Sequence, residues 1–180
     1  MGIKTKVSGT WKEIIPLSTK ISGNWKYIVI GWAKVSGTWK VIYGLHYYGF
    51  FGGGNSYNTI DYINTTLTTG NAVDRGDLTV AKWGCGGVEN YIYGFFGGGY
   101  AGSTSTNIID YINLILTTGN AIDRGDLIVA AQQLGGVSGF KYGFFGGTDD
   151  TIQYINTTLT TGNAIDRGNL TVGRAGSTGV

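Results

Sequence analysis

Apolar and polar positions alternate over short spans along almost the whole chain, and the spans are cut by glycines rather than by proline. A period of two predicts β-strands with one buried face, joined by tight turns. The first clear instances are VSGTWKEI from Val7, ISGNWKYI from Ile21 and VSGTWKVI from Val35, spaced 14 residues apart. In each, a β-branched residue leads into Ser-Gly and then Thr-Trp or Asn-Trp, the pattern of a hairpin around a two-residue turn. Three hairpins with up to six strands are therefore expected over 1–43, with Trp11, Trp25 and Trp39 on one face and Lys12, Lys26 and Lys40 on the other. So small a sheet needs cover for its aromatic face, which makes the three tryptophans candidate assembly residues.

From Gly44 a longer unit recurs three times, over 44–88, 89–137 and 138–180. Each unit carries an aromatic segment ending in glycines (YGFFGGG at Tyr48 and Tyr93, YGFFGG at Tyr142), a turn of variable length, then TIDYINTTLTTGNAVDRGDLTV or a relative, and ends in Gly-Val. Four strands per unit are expected, in the first at 48–52, 59–66, 72–78 and 79–88, with Thr-Gly-Asn as the middle turn. Four strands in about 45 residues is the size of a propeller blade, and also of one third of a β-trefoil or β-prism. The expected fold class is all-β: a hairpin module at 1–43, then a body at 44–180 of three four-stranded repeats.

Composition agrees, with 33 glycines, one proline and only 13% charged residues in 180. No Gly-X-Y period is present, which excludes collagen. The net charge of +2 hides an asymmetry: residues 1–43 hold seven lysines against Glu13, or +6, and the remainder is −4. Such ends are expected to face different partners. Lysines interleaved with tryptophans could grip nucleic acid, but their regular spacing reads as a solvated face opposite a packed one, so no nucleic-acid partner is expected.

Cys85 stands alone and cannot form an internal disulfide, and with His46 as the single histidine there are too few ligands for a zinc site. No metal and no cofactor is expected. The glycine runs lack the Lys-Ser or Lys-Thr of a phosphate loop. The opening MGIKTKVSGTWKEI has no apolar core, and no stretch of about eighteen apolar residues occurs, so neither a signal peptide nor membrane insertion is expected.

The diglycine after an aromatic strand resembles kelch repeats. YGFFGGG followed by TIDYINTTLTTGNAVDRGDLTVA is similar to the divergent kelch-like repeats of tailed-bacteriophage virion proteins, and the VSGTWK hairpins are similar to short repeats that flank fibre and adhesin proteins of that kind. The paired Tyr and Trp of standard kelch strands are missing. The resemblance implies a non-enzymatic virion protein made in the host cytoplasm: a tail-fibre or adhesin component whose partners are other virion proteins and host-surface carbohydrate. A capsid decoration, head-fibre or tail-assembly protein, binding only other virion proteins, is the alternative. A tail-associated polysaccharide depolymerase is the minor one. Propellers close with about four to eight blades, so three repeats imply completion by a homo-oligomer, dimer or trimer, unless the body closes as a prism or trefoil.

The most repeated polar string places Asp74 and Arg75, Asp123 and Arg124, and Asp166 and Arg167 at matching sites. Residues that recur in every repeat are expected to hold the repeat, through turn hydrogen bonds or links between neighbours. Glycoside hydrolysis would need two carboxylates about 5 to 9.5 Å apart in one cleft, such as Asp61 with Asp74 or Asp77, but nothing singles out one pair from its repeat-mates. The better binding candidates are positions where the repeats differ: Asn55, Ser56, Tyr57 and Asn58 in the first loop, Tyr100, Ser103 and Thr104 in the second, Asp149 and Asp150 in the third. Tyrosine with Asn, Ser and Asp suits carbohydrate.

Overall fold

In the computed structural model the described backbone covers residues 3–7, 10–14, 18–21, 24–27, 30–35, 38–44, 47–55, 57–139 and 141–179, with side chains from Tyr47 onward in those ranges. Among the described residues every regular element is a strand. Contacts divide the chain into Met1–Leu45 and His46–Val180.

The N-terminal unit is three antiparallel hairpins: β1 (Ile3–Val7) with β2 (Thr10–Ile14), β3 (Ser18–Ile21) with β4 (Asn24–Tyr27), and β5 (Ile30–Val35) with β6 (Thr38–Gly44). Val7 faces Thr10, Ile21 faces Asn24 and Val35 faces Thr38, so two residues connect each pair of strands, as the Ser-Gly signal requires. The expected tryptophan face of Trp11, Trp25 and Trp39 concerns side chains outside the described residues, and Ser56 and His46 also lie outside them.

The second unit contains three principal antiparallel sheets. The first is β7 (Tyr48–Gly54), β8 (Tyr57–Asn64) and β9 (Val73–Asp77). The second runs β10 (Gly86–Glu89), β11 (Tyr93–Gly97), β14 (Ile108–Asn113) and β15 (Ile122–Asp126), with the small hairpin of β12 (Tyr100–Ala101) and β13 (Thr104–Ser105) between β11 and β14. The third is β16 (Gly135–Ser138), β17 (Tyr142–Gly146), β18 (Thr151–Asn156) and β19 (Ile165–Asn169).

One expectation is corrected. No strand fills 79–88 in the first sheet; the chain leaves that sheet after Asp77, and Gly86–Glu89 pairs with β11 of the next repeat, Val88 opposite Phe95. β16 likewise belongs by sequence to the second repeat and by hydrogen bonding to the third sheet. The aromatic strand needs a partner on each side, and the Gly-Gly-Val segment supplies one to the following sheet. The first sheet is left with three strands among the described residues.

The sheets pack on one another through the double phenylalanine. Phe145 is fully buried and lies over Gly97, where a Cβ would stand 2.8 Å from its ring; Phe96 lies over Gly52 in the same way. Burying such a ring is worth about 2–3 kcal/mol, more than the roughly 0.5–1 kcal/mol that a glycine in a strand gives up. One apolar core therefore fills each joint: Ile60, Leu78, Phe96 and Ile112 between the first and second sheets, Val88, Phe95, Leu127 and Phe145 between the second and third. Along one edge the backbones close further, since a Cβ at Gly136 would stand 1.9 Å from the Gly87 carbonyl oxygen.

Candidate binding loops and the joints that hold them

The Asp-Arg-Gly triplet makes a β-bulge in each repeat. Opposite β8, Ile60 pairs with Gly76 and Asp61 with Asp74, so Arg75 is the extra residue; Arg124 and Arg167 occupy the same place in their sheets. Gly76, Gly125 and Gly168 have φ of +143°, +138° and +123°, a backbone that favours glycine. The aspartates tie this turn rather than meeting the arginines: Asp74, Asp123 and Asp166 each accept the amide of the glycine two residues on, at 2.8 Å.

Freed by the bulge, the first two arginines reach the next repeat. Arg75 donates to the carbonyls of Leu116 (3.2 Å), Asn113 (3.3 Å) and Gly119. Arg124 donates to Leu159 (3.2 Å), Asn156 (3.1 Å) and Gly162. Each guanidinium also lies over the first phenylalanine of its own sheet, at 5.8 Å from Phe50, 5.7 Å from Phe95 and, for Arg167, 5.8 Å from Phe144. Burial holds Arg75 and Arg124 below the ordinary arginine value. The planar fork reaches three separated carbonyls from one side chain while stacking on a ring, a geometry that a point-like ammonium does not reproduce.

Lys82, unremarked in the sequence, and Asp110, which recurs with Asp61 before Tyr-Ile-Asn where the third repeat has Gln153, complete the first joint. Lys82 and Asp110 are both 0% exposed and form an ion pair at 3.0 Å; Lys82 Nζ also donates to the carbonyls of Phe96 (3.1 Å) and Ile108 (3.0 Å), and Thr79 Oγ1 donates to Asp110 Oδ1. At the second joint the same places hold Ala131 and Gln153. The buried Gln153 accepts the Ile128 and Val129 amides and donates to the Val129 carbonyl. The signal was available: the change from Asp to Gln coincides with the change from Lys to Ala one repeat earlier.

Of the carboxylates considered for hydrolysis, Asp74 is held in its own bulge. Asp61 and Asp74 are opposite one another across β8 and β9, with Asp74 tied to its bulge and the equivalent Asp110 tied to Lys82. Cys85 makes a 3.8 Å contact with the Gly52 carbonyl; burial pushes its thiol up, against a lowering by Lys82, which suppresses the thiolate. Among the described residues no group of three or more His, Cys, Asp and Glu could hold a metal, and no helix is long and apolar enough to cross a membrane.

The loop candidates fall at the connection between the aromatic strand and the strand after it, with Tyr57 and Asn58 as the first residues of β8. Tyr57 is 68% exposed, and Asn55, Ser103, Thr104 and Asp150 are exposed. Asn58 is half-buried and its carbonyl accepts the Leu78 amide. Tyr100 is less free: its hydroxyl donates to the Ser103 carbonyl at 2.7 Å and its ring stands 5.5 Å from Trp83. Asp150 accepts from the Asn169 side chain at 3.2 Å, and Asp149 is half-buried with Oδ1 shielded from solvent. The loops occupy one position in three successive sheets, so they are presented by a frame and not by one another.

Compared with known proteins, the chain matches no protein-family model and no curated protein.

Proposed function

We propose that this chain is a non-enzymatic virion protein of a tailed bacteriophage, a tail-fibre or adhesin component whose three kelch-like sheets are blades of a propeller completed by oligomerisation, and whose loops contact host-surface glycan. One observation carries the reading. The Asp and Arg that recur in the first two repeats are spent on bulges and joints, whereas Tyr57 above all, with Asn55, Ser103, Thr104 and Asp150, is exposed around one connection where the repeats differ. That is the division of labour in a recognition scaffold. The propeller reading is supported by sheets stacked face to face, by one strand of each four-stranded sheet coming from the preceding repeat, and by the close backbone approach at Gly136. The kelch-like YGFFGG and Gly-Val landmarks support the phage assignment.

The test is a glycan array probed with the labelled full chain and with Tyr57→Ala. Binding to a subset of bacterial surface polysaccharides, weakened about tenfold or more in the variant, is expected for an aromatic contact in a multivalent site. Absence of binding together with co-purification on capsid shells overturns the adhesin assignment in favour of a decoration role. Release of reducing ends from a bound polysaccharide overturns the non-enzymatic one.

A further inference from the structure

Among the described residues no sheet follows the third, and its joint-making positions meet no neighbouring sheet. Arg167 sits where Arg75 and Arg124 sit, but it is exposed while they are 5% exposed. A Cβ at Gly76 or Gly125 would run into the carbonyl of Gly119 or Gly162, yet at Gly168 it would meet nothing within 4 Å. Gly146 stands where Gly52 and Gly97 each receive a phenylalanine ring, and the nearest atom to its Cβ position is Leu170 Cδ1 at 3.6 Å. A groove of about 510 Å³ opens there, lined by Phe144, Phe145, Ile152, Arg167, Leu170 and Arg174 among others.

The first sheet shows the opposite half of the same joint, equally unused. Phe51 is 62% exposed, against 9% for Phe96 and 0% for Phe145. Ala72 is exposed, whereas Ala121 and Ala164 are 7% exposed. The carbonyls of Asn64, Leu67 and Gly70 match those of Asn113, Leu116 and Gly119, which Arg75 binds.

The buried polar position identifies the occupant. Lys82 and Thr79 face Asp110, and Gln153 takes the Ile128 amide, with Ala131 in the place of Lys82. At the open end the corresponding residues are Arg174 and Thr171, both exposed, which is the set that calls for an aspartate; on the first sheet that position is Asp61. We infer that the third sheet of one copy receives the first sheet of a second copy, head to tail, with Phe51 over Gly146, Arg167 on the carbonyls of Asn64, Leu67 and Gly70, and Arg174 paired with Asp61. Strand donation completes the joint. A Cβ at Gly179 would stand 1.9 Å from the Gly136 carbonyl oxygen, as one at Gly136 does from that of Gly87, so residues 178–179 lie where the first two residues of β10 and β16 lie. They supply the three-stranded first sheet of the other copy with its fourth strand, along β7.

The joint stands on these matched residues alone; closure at two copies rests on the propeller reading, because six is the multiple of three within the range of about four to eight blades. The experiment is sedimentation of the full chain and of three variants. Twice 19.1 kDa is expected for the full chain. Gly146→Val, whose side chain has room within one chain but fills the seat of Phe51, gives folded monomer by circular dichroism. Arg174→Glu and Asp61→Arg each raise the dissociation constant roughly 100-fold, the scale for breaking a buried interfacial charge pair, and the double variant restores the dimer. A monomeric full chain overturns the inference, as does an oligomer that Gly146→Val and Arg174→Glu leave intact. An assembly that grows with concentration and is abolished by those variants supports the joint and overturns closure at two copies, and with it the propeller reading.

Discussion

The two internal joints share a frame and differ at its centre. In both, a phenylalanine covers a glycine and a bulged arginine grips three carbonyls of the next repeat. At the first, a buried lysine neutralises a buried aspartate; at the second, alanine stands in the lysine's place and a glutamine satisfies itself on backbone groups. The steric parts are therefore fixed, and the polar part is free to be ionic or neutral so long as both sides change together. A charge left without its partner in that position would cost several kcal/mol, more than any single contact of the frame supplies.

The sharpest break falls on the ionic joint. Lys82→Met strands Asp110 in a fully buried site and is expected to cost about 3–5 kcal/mol in urea unfolding. Combining Lys82→Ala with Asp110→Gln copies the second joint into the first, and stability is expected to return to within about 1 kcal/mol of the starting protein, since a buried pair and a well-packed neutral replacement are often equivalent. A double variant no better than the single would show that the first joint depends on charge for more than neutrality.

The next break tests the shared frame. Gly97→Val drives a side chain into the ring of Phe145 and should cost about 1–3 kcal/mol by overpacking, whereas Gly146→Val, in the equivalent place without a ring, should change monomer stability little. Arg75→Lys and Arg124→Lys follow, each expected to lose about 1–2 kcal/mol because a compact ammonium does not reproduce the planar fork that spans the three carbonyls and lies over the phenylalanine ring; equal losses at both joints would confirm that the arginine acts independently of the polar centre. The smallest effect is chemical. With its thiol pushed up by burial, Cys85 should react with iodoacetamide at mildly alkaline pH at least about tenfold more slowly in the folded chain than in urea, and Lys82→Met should slow it further by removing the cation that lowers it.

The strands within each repeat were legible from sequence alternation and glycine punctuation, which placed YGFF and TIDYIN on the strands that became β7 and β8. The destination of the Gly-Gly-Val segment was not. Its pattern fits a strand, but its partner is the aromatic strand that follows it, and cutting the sequence at Gly-Val assigns it to the wrong sheet. The arginine bulge was also hidden, since it arises from a glycine at positive φ and an aspartate tying its amide, and the string alone reads equally as an Asp-Arg pair. Lys82 was the least visible feature, a charge in an apolar stretch whose meaning lies 28 residues away at Asp110.

The matched polar centre also bears on how such a chain can change over generations. Because each connector is made of the same atoms, recombination that gains or loses one whole repeat leaves most of the packing intact. The exception is the polar centre, where an alanine-bearing repeat set before an aspartate-bearing one would strand a carboxylate. That position acts as a key, selecting which rearranged genes still encode a protein that folds.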